Sequence, residues 1–380
     1  MAGPLAGVKV IELAGLGALP FGTLKLADMG AEVIRVDRLA EVPDVKTARD
    51  YSPWDRGRRS IAVDLKNPAG VETVLRLAAD ADIFLEAFRP GVAERLGVGP
   101  DDVLSRNPAM VYGRLTGWGQ TGALAPSAGH SLNYEAITGV IGSVGPAGGS
   151  PVPVMQLLGD FAGGGLTMAF GVVCALWEAK QSGKGQVVDA AMTDGVASLA
   201  SVFYGMQASG VHTTDLGTNL FDGGSPFYAI YECADGGYMS IAPIEPHFYA
   251  LMLETIGVDQ STLPAQYDRE RWPKVKATIQ AKMLEKTRDE WCEILEGTDC
   301  CAAPVLSFDE ARVYPHHADR GTFAGDTGTE VVPVPILSRT PGQIRPSPAW
   351  VGADTDAVLG QWGFDDDEIS ALRRDGAVGG

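Results

Sequence analysis

The sequence predicts an α/β protein, with a Rossmann-like, doubly wound large domain joined to a smaller α+β domain. In the first third of the chain, short runs rich in β-branched residues alternate with helix-like segments, which is typical of a parallel sheet covered by helices. Around residues 208–226 the chain becomes polar and glycine-rich, and a second set of strands and helices follows. At 380 residues and 45% apolar composition, the chain is long enough to bury a substantial core.

The elements of the large domain follow from local patterns. Residues 8–12 (VKVIE) and 32–36 (EVIRV) predict buried strands. Residues 68–79 predict a helix that begins after Asn67, a residue type that caps helices well. Further strands are predicted at 60–64, 83–87, 110–115 and 186–190, and another helix at 20–29.

The most apolar stretch is residues 161–180 (FAGGGLTMAFGVVCALWEAK). Its length approaches that of a membrane span, but glycines interrupt it and it ends in Glu178 and Lys180. It predicts a buried helix of a core or of a subunit interface.

Composition and pattern together predict four regions. Residues 1–207 form the large domain, 208–226 a linker, 227–320 the small α+β domain, and 321–380 a return linker with C-terminal helices that pack on the large domain. The small domain is predicted to contain strands at 227–232 and 238–242 and helices at 246–256, 272–286 and 289–297. The tail is predicted to contain helices at 355–361 and 365–374.

Charge excludes some classes of partner. The 48 acidic residues exceed the 30 basic ones, giving a formal charge of −18, whereas binders of nucleic acid or anionic membranes need a cationic surface. We therefore expect no nucleic-acid or membrane partner. The 5 cysteines are odd in number and form no C-x-x-C motif, and the N-terminus does not resemble a signal peptide, so we expect reduced thiols and a cytoplasmic protein.

One motif resembles a cofactor site but is incomplete. Gly15 and Gly17 follow the first predicted strand as in a dinucleotide fingerprint, and Asp37 stands where a ribose-binding acid would belong. The sixth position is Pro20, however, where close packing of helix on strand requires Gly or Ala. The pattern indicates a Rossmann-like first turn without the dinucleotide.

Three side chains are the candidates for chemistry. His130 follows a glycine-rich turn, and its flanking glycine is typical of a site residue. Asp160 is predicted to cap the long apolar helix, and Gly163–Gly165 would let a ligand approach the backbone. Glu245 is an acid in an apolar stretch, which alone is weak evidence. The alternatives are a structural histidine, a simple helix cap and a surface turn. No set of residues has the spacing of a metal site.

Basic residues in the first third suggest an anionic, phosphorylated ligand. Ligands of open α/β sheets bind at the carboxyl ends of the strands, and Arg35 and Arg38 flank one such end. The cluster comprises Arg35, Arg38, Arg56, Arg58, Arg59, Lys66, Arg89 and Arg95, and for any one of them a solvated surface position is the alternative.

Motifs along nearly the whole chain resemble the class III CoA-transferase family, and three of them its α-methylacyl-CoA racemase branch. The family motifs include ADMGAEVIRVD, EAFRPGVAERLG and SGKGQVVDAAMTDG, and the racemase motifs are AGHSLNY, GDFAGGG and IEPHFY. The resemblance implies an interlocked homodimer with an active site between the large domain of one chain and the small domain of the other. It implies no metal and no cofactor beyond the CoA moiety of the substrate.

The resemblance also implies roles for residues. His130 and Asp160 would be the two acid/base groups and Glu245 would orient the histidine. The racemase pattern usually has Asp after this histidine, where this chain has Ser131, which puts the strength of the base in question. CoA contacts would carry over to Arg38, Val63, Asp64, Leu65, Lys66, Ala87, Phe88, Arg89, Gly129, Ser131, Leu132, Asn133 and Tyr134.

These roles predict a racemase or epimerase of lipid metabolism that inverts the α-carbon of 2-methylacyl-CoA thioesters. Two bases on opposite faces of a planar enolate would remove and return the proton, and backbone N–H groups of residues 160–163 would stabilise the thioester oxygen. The alternative is a CoA-transferase in which Asp160 acts as a nucleophile and forms an aspartyl anhydride and then an enzyme thioester. A third alternative is a CoA-binding protein without catalytic activity.

Overall fold

The computed structural model describes residues 3–44, 54–325 and 328–380. Within these residues the chain packs as two compact units. The larger comprises the chain up to Thr138, Val154–Leu199 and Gly321–Gly380, and the smaller comprises Gly139–Pro153 and Ala200–Arg320. The division into four regions drawn from the sequence stays a prediction, because compact packing does not show which segments fold independently.

The larger unit is built on a seven-stranded sheet. Its first six strands are β1 Lys9–Leu13, β2 Glu32–Arg38, β3 Arg58–Val63, β4 Ile83–Glu86, β5 Val111–Thr116 and β6 Gln186–Ala191. Its helices up to residue 199 are α1 Ala18–Asp28, α2 Pro68–Ala79, α3 Val92–Arg95, α4 Pro100–Arg106, α5 Ser131–Ala136, α6 Thr167–Ser182 and α7 Met192–Leu199, with a π-helical segment Leu157–Leu166 before α6.

The strand order confirms the predicted doubly wound sheet. The order is β3-β2-β1-β4-β5-β6, and all neighbouring pairs are parallel. Chain progression reverses between β1 and β4, which is where open α/β sheets bind ligands, outside the carboxyl ends of the strands.

Alternating side chains of the strands build one core on each face of the sheet. Ile11 and Ile34 pack with α2 on one face, and Val10 and Val33 pack with α1 and α6 on the other. Helix α2 begins as the sequence predicts, because the Asn67 side chain accepts a hydrogen bond from the Ala69 N–H at 3.0 Å. Both faces of the sheet are therefore covered, as a parallel sheet requires.

The apolar stretch at 161–180, predicted to be a helix of a core or of a subunit interface, is helical, with one face buried and the other exposed. Its helix begins earlier, at Leu157, and one face packs on the sheet through Met168 and Val172 while Phe170 and Trp177 are each 73% exposed. By length and composition alone, Leu157–Ser182 could cross a membrane, and it is the one such helix among the described residues. Since its inner face packs on a sheet, this is weak evidence for a span.

The smaller unit is an antiparallel α+β unit. It contains α8 Ser201–Ala208, β7 Ala229–Glu232, β8 Tyr238–Ile241, α9 Pro246–Thr255, α10 Trp272–Met283, α11 Arg288–Leu295, β9 Ala302–Pro304, α12 Phe308–Val313 and α13 Pro315–Arg320. The three strands pair in the order β7-β8-β9. Its core is aromatic, with Phe227, Tyr231, Tyr249 and Trp291 buried.

The tail returns to the larger unit and clamps the edge of its sheet. It contains β10 Phe323–Ala324, β11 Glu330–Val331, α14 Thr355–Gln361, α15 Asp366–Arg374 and β12 Val378–Gly379. Strand β12 pairs antiparallel with β3, placing Val378 opposite Val63. The end of the chain therefore supports a strand whose carboxyl end carries predicted ligand contacts.

Candidate active site

The loops after β1 and β4 meet at the reversal point of the sheet. A Cβ built on Gly15 would lie 3.5 Å from the Ala87 Cβ, so the two loops are in contact. Gly17 then begins α1 with φ 64° and ψ −105°, a conformation that side-chain-bearing residues rarely adopt. The glycines of the incomplete dinucleotide motif therefore shape this edge of the sheet.

Asp160 lies at this edge, against the N-terminus of α1. A Cβ on Gly17 would be only 2.9 Å from the Asp160 Oδ2, so the absent side chain makes room for the carboxyl. Asp160 lies inside the π-helical segment, not ahead of it, and Gln156 occupies the N-cap position. The prediction that Asp160 caps the helix is therefore wrong. π-Helical geometry is rare in proteins and is frequently found at functional sites.

His130 is exposed at the start of α5, and the Tyr134 side chain stabilises the loop that precedes it. The Tyr134 ring packs edge-on against Trp118 at 4.7 Å, and its hydroxyl donates to the Gly129 carbonyl. The His130 N–H donates to the Asn133 Oδ1 at 3.0 Å. The side chain of the histidine projects from a fixed backbone.

Electrostatics couple these side chains. Burial raises the pKa of Asp160 above its usual value, the nearby Glu135 charge raises it further, and His130 lowers it. Burial and the Asp160 charge raise the pKa of Tyr134, and Arg89 lowers it. Asp160 therefore lies within electrostatic reach of His130 and Tyr134, and Tyr134 within reach of Arg89.

Glu135, a buried residue that the sequence analysis does not single out, supports the backbone at Asp160 through hydrogen bonds. Glu135 Oε1 accepts hydrogen bonds from the Ser131 Oγ at 2.7 Å and from the Gly159 N–H at 2.8 Å. The Ser131 Oγ in turn accepts the Asp160 N–H at 3.2 Å. The available signal was the i,i+4 spacing of a serine and an acid on one short helix.

Two of the predicted oxyanion donors are already used. The Asp160 N–H donates to Ser131, and the Phe161 N–H donates to the Gln156 carbonyl at 3.3 Å. The assignment of these two N–H groups to the thioester oxygen is therefore wrong.

The three glycines after Asp160 serve helix packing and not ligand approach. A Cβ on Gly163 would lie 2.8 Å from the Val196 side chain of α7, and one on Gly165 would lie 2.6 Å from the Ala18 carbonyl of α1. Gly163–Gly165 are buried. The prediction that they open the backbone to a thioester is wrong, because α1 and α7 occupy that space.

Three of the basic residues form buried ion pairs within the core. Arg58 pairs with Glu12 at 2.6 Å, with both side chains fully buried. Two further buried pairs are Arg56 with Asp28, and Arg35 with Asp37 and Asp55. These three arginines therefore do not form an anion site, in contrast to the prediction. Arg38, Lys66 and Arg89 are exposed.

Glu245 belongs to the smaller unit. It is exposed, and it flanks the N-terminus of α9 without capping it through its side chain. Its charge, after burial, helps to raise the pKa of Cys301. Among residues 3–44, 54–325 and 328–380, no group of three or more His, Cys, Asp or Glu side chains is arranged to hold a metal ion.

Comparison with known proteins shows the family of the chain. Residues 5–355 match the model of CoA-transferase family III. The chain belongs to this family. It is 43% identical to mouse (Mus musculus) alpha-methylacyl-CoA racemase over 98% of this chain and 97% of the relative, and 40% identical to the human (Homo sapiens) enzyme over 98% and 96%. The crystal structure of a CAIB/BAIF family protein from Brucella suis covers 96% of this chain and 100% of that chain with a TM-score of 0.81 at 23% identity, which shows the same fold.

In this family III chain, the residues predicted to contact CoA lie at the carboxyl edge of the sheet, in α5 or in the loop directly before α5. Residues 63–66 follow from the end of β3, where Asp64 Oδ1 accepts the Lys66 N–H at 2.9 Å. Residues 87–89 follow β4, where Glu86 Oε2 accepts the Phe88 N–H at 2.6 Å. Leu132 and Asn133 are exposed on α5. Their contact with CoA stays a prediction.

Proposed function

We propose that the protein is a racemase of 2-methylacyl-CoA thioesters. The observation that carries the proposal is that Asp160 lies against Gly17 at the ligand-binding edge of the sheet and is joined through the Ser131 hydroxyl to the helix that begins directly after His130. Identity of 40–43% to alpha-methylacyl-CoA racemases over 98% of the chain supports it.

The two side chains suit a two-base reaction. One base removes the α-proton, and the conjugate acid of the other returns a proton to the opposite face of the planar enolate. A carboxyl whose pKa is raised by burial stays protonated to a higher pH, so that Asp160 is more often in the form that donates a proton, as one direction of the reaction requires. In the reverse direction Asp160 is the base and His130 the acid. Glu245, from the small domain, is proposed to orient the histidine.

Binding of the CoA moiety is assigned to the carboxyl edge of the sheet. The exposed Arg38, Lys66 and Arg89 are the cations there that the core does not use, and guanidinium groups suit phosphate geometry. Backbone groups of residues 63–66, 87–89 and 129–134 would form the remaining contacts. No metal or further cofactor is proposed, and the acyl chain places the reaction in lipid metabolism.

A CoA-transferase is the second candidate, because the Asp160 carboxyl is only half-buried and can reach a substrate. Its carboxylate would attack the thioester carbonyl and expel the CoA thiolate, leaving a mixed anhydride. The thiolate would then attack the aspartyl carbonyl, forming an enzyme thioester and releasing the carboxylate of the donor.

Proton exchange in D₂O distinguishes the candidates. A racemase incorporates deuterium at the α-carbon of a 2-methylacyl-CoA without any acceptor acid. Branched fatty acyl, aryl-propionyl and sterol side-chain thioesters form the panel. Absence of exchange together with CoA transfer to a free carboxylate would refute the racemase, and absence of both would favour a non-catalytic CoA-binding protein.

The two active-site variants sharpen this test. Exchange on one face needs only one base, so Asp160→Asn should retain exchange with one epimer and His130→Ala with the other, while neither variant inverts. We expect each lost exchange to fall about 10²–10⁴-fold. Unchanged CoA binding, measured by calorimetry, is the control for folding.

We further propose an interlocked homodimer located in the cytoplasm. The exposed Phe170 and Trp177 give α6 an apolar outer face suited to a second copy of the chain. The 5 cysteines of the chain are all free thiols, as in a reducing compartment. Light scattering coupled to gel filtration tests the dimer, and fractionation of the native cells tests the location.

A further inference from the structure

Glu135 is a buried acid to which the proposed reaction gives no role. It is 0% exposed, on the six-residue helix α5, whose Leu132, Asn133 and Ala136 are exposed. Its Oε2 is buried and has no hydrogen-bond partner among the described residues. Burying a carboxylate costs free energy unless it is paired and hydrogen-bonded, so Glu135 is a candidate for a functional role.

Its hydrogen bonds all lead to the Asp160 backbone. Glu135 Oε1 accepts the Gly159 N–H directly, at 2.8 Å, and accepts the Ser131 hydroxyl at 2.7 Å. The same hydroxyl oxygen accepts the Asp160 N–H at 3.2 Å. Two consecutive N–H groups beneath the catalytic carboxyl are therefore fixed by one acid and its serine.

The fit around this network is tight. A Cβ on Gly159 would lie 2.8 Å from Glu135 Oε1 and would clash with the Ser131 Oγ. Only glycine lets the π-helical segment approach α5 this closely. This close packing fixes the distance between the backbone at Asp160 and α5.

Two charged groups near the start of α5 act on Asp160. Glu135 raises the pKa of Asp160 in addition to burial, and His130 lowers it. Both come from the α5 region. The other titratable side chains on the elements packed against the π-helical segment are Lys25 and Asp28 on α1, Tyr112 and Arg114 on β5, Asp189 on β6, Asp194 on α7, Cys174, Glu178 and Lys180 on α6, and Tyr134 on α5.

We propose that Glu135, linked through Ser131, is a positioning residue that holds Asp160 in place and keeps it a proton donor. The proposal rests on the proposed function, since it assigns Asp160 to proton transfer. Ser131 stands where the racemase pattern usually has an aspartate. In this chain its hydroxyl connects a more distant acid, Glu135, to the backbone of Asp160.

The decisive variant is Glu135→Gln in the full-length protein. Glutamine can still accept both hydrogen bonds but removes the charge, so the Asp160 pKa should fall. For the epimer that loses exchange in Asp160→Asn, the rise of kcat/KM with pH should move to lower pH. Titration of the Asp160 ¹³Cγ signal, assigned by its loss in Asp160→Asn, should move in the same direction.

Ser131→Ala tests the hydrogen-bonded link. It should lower kcat by about tenfold, the effect of one buried hydrogen bond, with a smaller change in KM. Ser131→Thr keeps the hydroxyl and should retain more of the activity. Asp28→Asn, which neutralises another buried acid at the far end of α1, is the control for destabilisation and should leave the pH profile unchanged.

Each outcome decides one question. An unchanged Asp160 titration and pH profile in Glu135→Gln, or equal effects in Asp28→Asn, would overturn the positioning role. If the wild-type enzyme exchanges none of the panel, the proposed function fails, and the ¹³C titration, which needs no turnover, still decides whether Glu135 controls Asp160.

Discussion

At the scale of single residues, the proposed catalytic role of Asp160 is linked to the stability of the fold. Its raised pKa means that the fold prefers the neutral carboxyl, so ionisation at neutral pH costs stability. Asp160→Asn should therefore raise the melting temperature while it abolishes inversion. The stability cost of ionising Asp160 develops as pH rises above the ordinary pKa of an aspartate carboxyl. The gain in melting temperature of Asp160→Asn should therefore vanish at about pH 4. Thermal melts of both proteins across pH test this, and an equal gain at low pH would contradict it.

Gly17 is a second position where a single added atom, the Cβ of alanine, should disturb the site. Alanine there has a disfavoured backbone conformation and places its Cβ 2.9 Å from the Asp160 carboxyl. Gly17→Ala should lose about 1–2 kcal/mol of stability and about 10²-fold of exchange, because the carboxyl is displaced. Gly183→Ala is the matched control, with φ +74° but open space around its Cβ, and should lose stability alone. Equal activity losses would argue against the role of Gly17.

At the scale of elements, the periodicity of the sequence predicts the strands and helices. It does not predict contacts between residues that are distant along the chain. Strands β1 to β6 and the parallel order follow from alternation and β-branched runs, and the His130 and Asp160 positions from their motifs. Gly163 and Arg58 are misjudged, because only the neighbouring α7 backbone and the distant Glu12 reveal that one is packed and the other paired. Glu135 is missed for the same reason, since its partner at Gly159 is distant in sequence.

The tail elements give a prediction at this scale. The buried Thr355 hydroxyl on α14 accepts the Ala62 N–H of β3 at 3.1 Å and donates to the Gly379 carbonyl of β12 at 2.6 Å. Thr355→Val leaves these groups unpaired and should cost about 1–3 kcal/mol, whereas Thr355→Ser keeps the hydroxyl and should cost less. Because β3 leads into residues 63–66, KM should rise more than kcat falls in the valine variant. Urea unfolding and steady-state kinetics measure both, and equal behaviour of the two variants would contradict the clamp.

At the scale of the whole molecule, the charge of −18 is unevenly distributed. Residues 1–120 contain 15 basic and 16 acidic residues, so nearly all of the negative charge lies in the rest of the chain. Three of the arginines in this near-neutral part are paired inside the core, and the exposed Arg38, Lys66 and Arg89 remain for an anionic ligand. The overall charge disfavours polyanions, and the local distribution still permits one CoA.

Assembly provides the last prediction. If two chains are threaded through each other, the subunits cannot separate while folded, so dilution alone should leave a dimer and dissociation should coincide with unfolding. Each tenfold rise in protein concentration should then stabilise the folded state by about 1.4 kcal/mol per dimer. Urea transitions at several concentrations, followed by fluorescence and by light scattering, measure this coupling. A folded monomer at low concentration, with Phe170 and Trp177 exposed to water, would contradict the interlocked dimer.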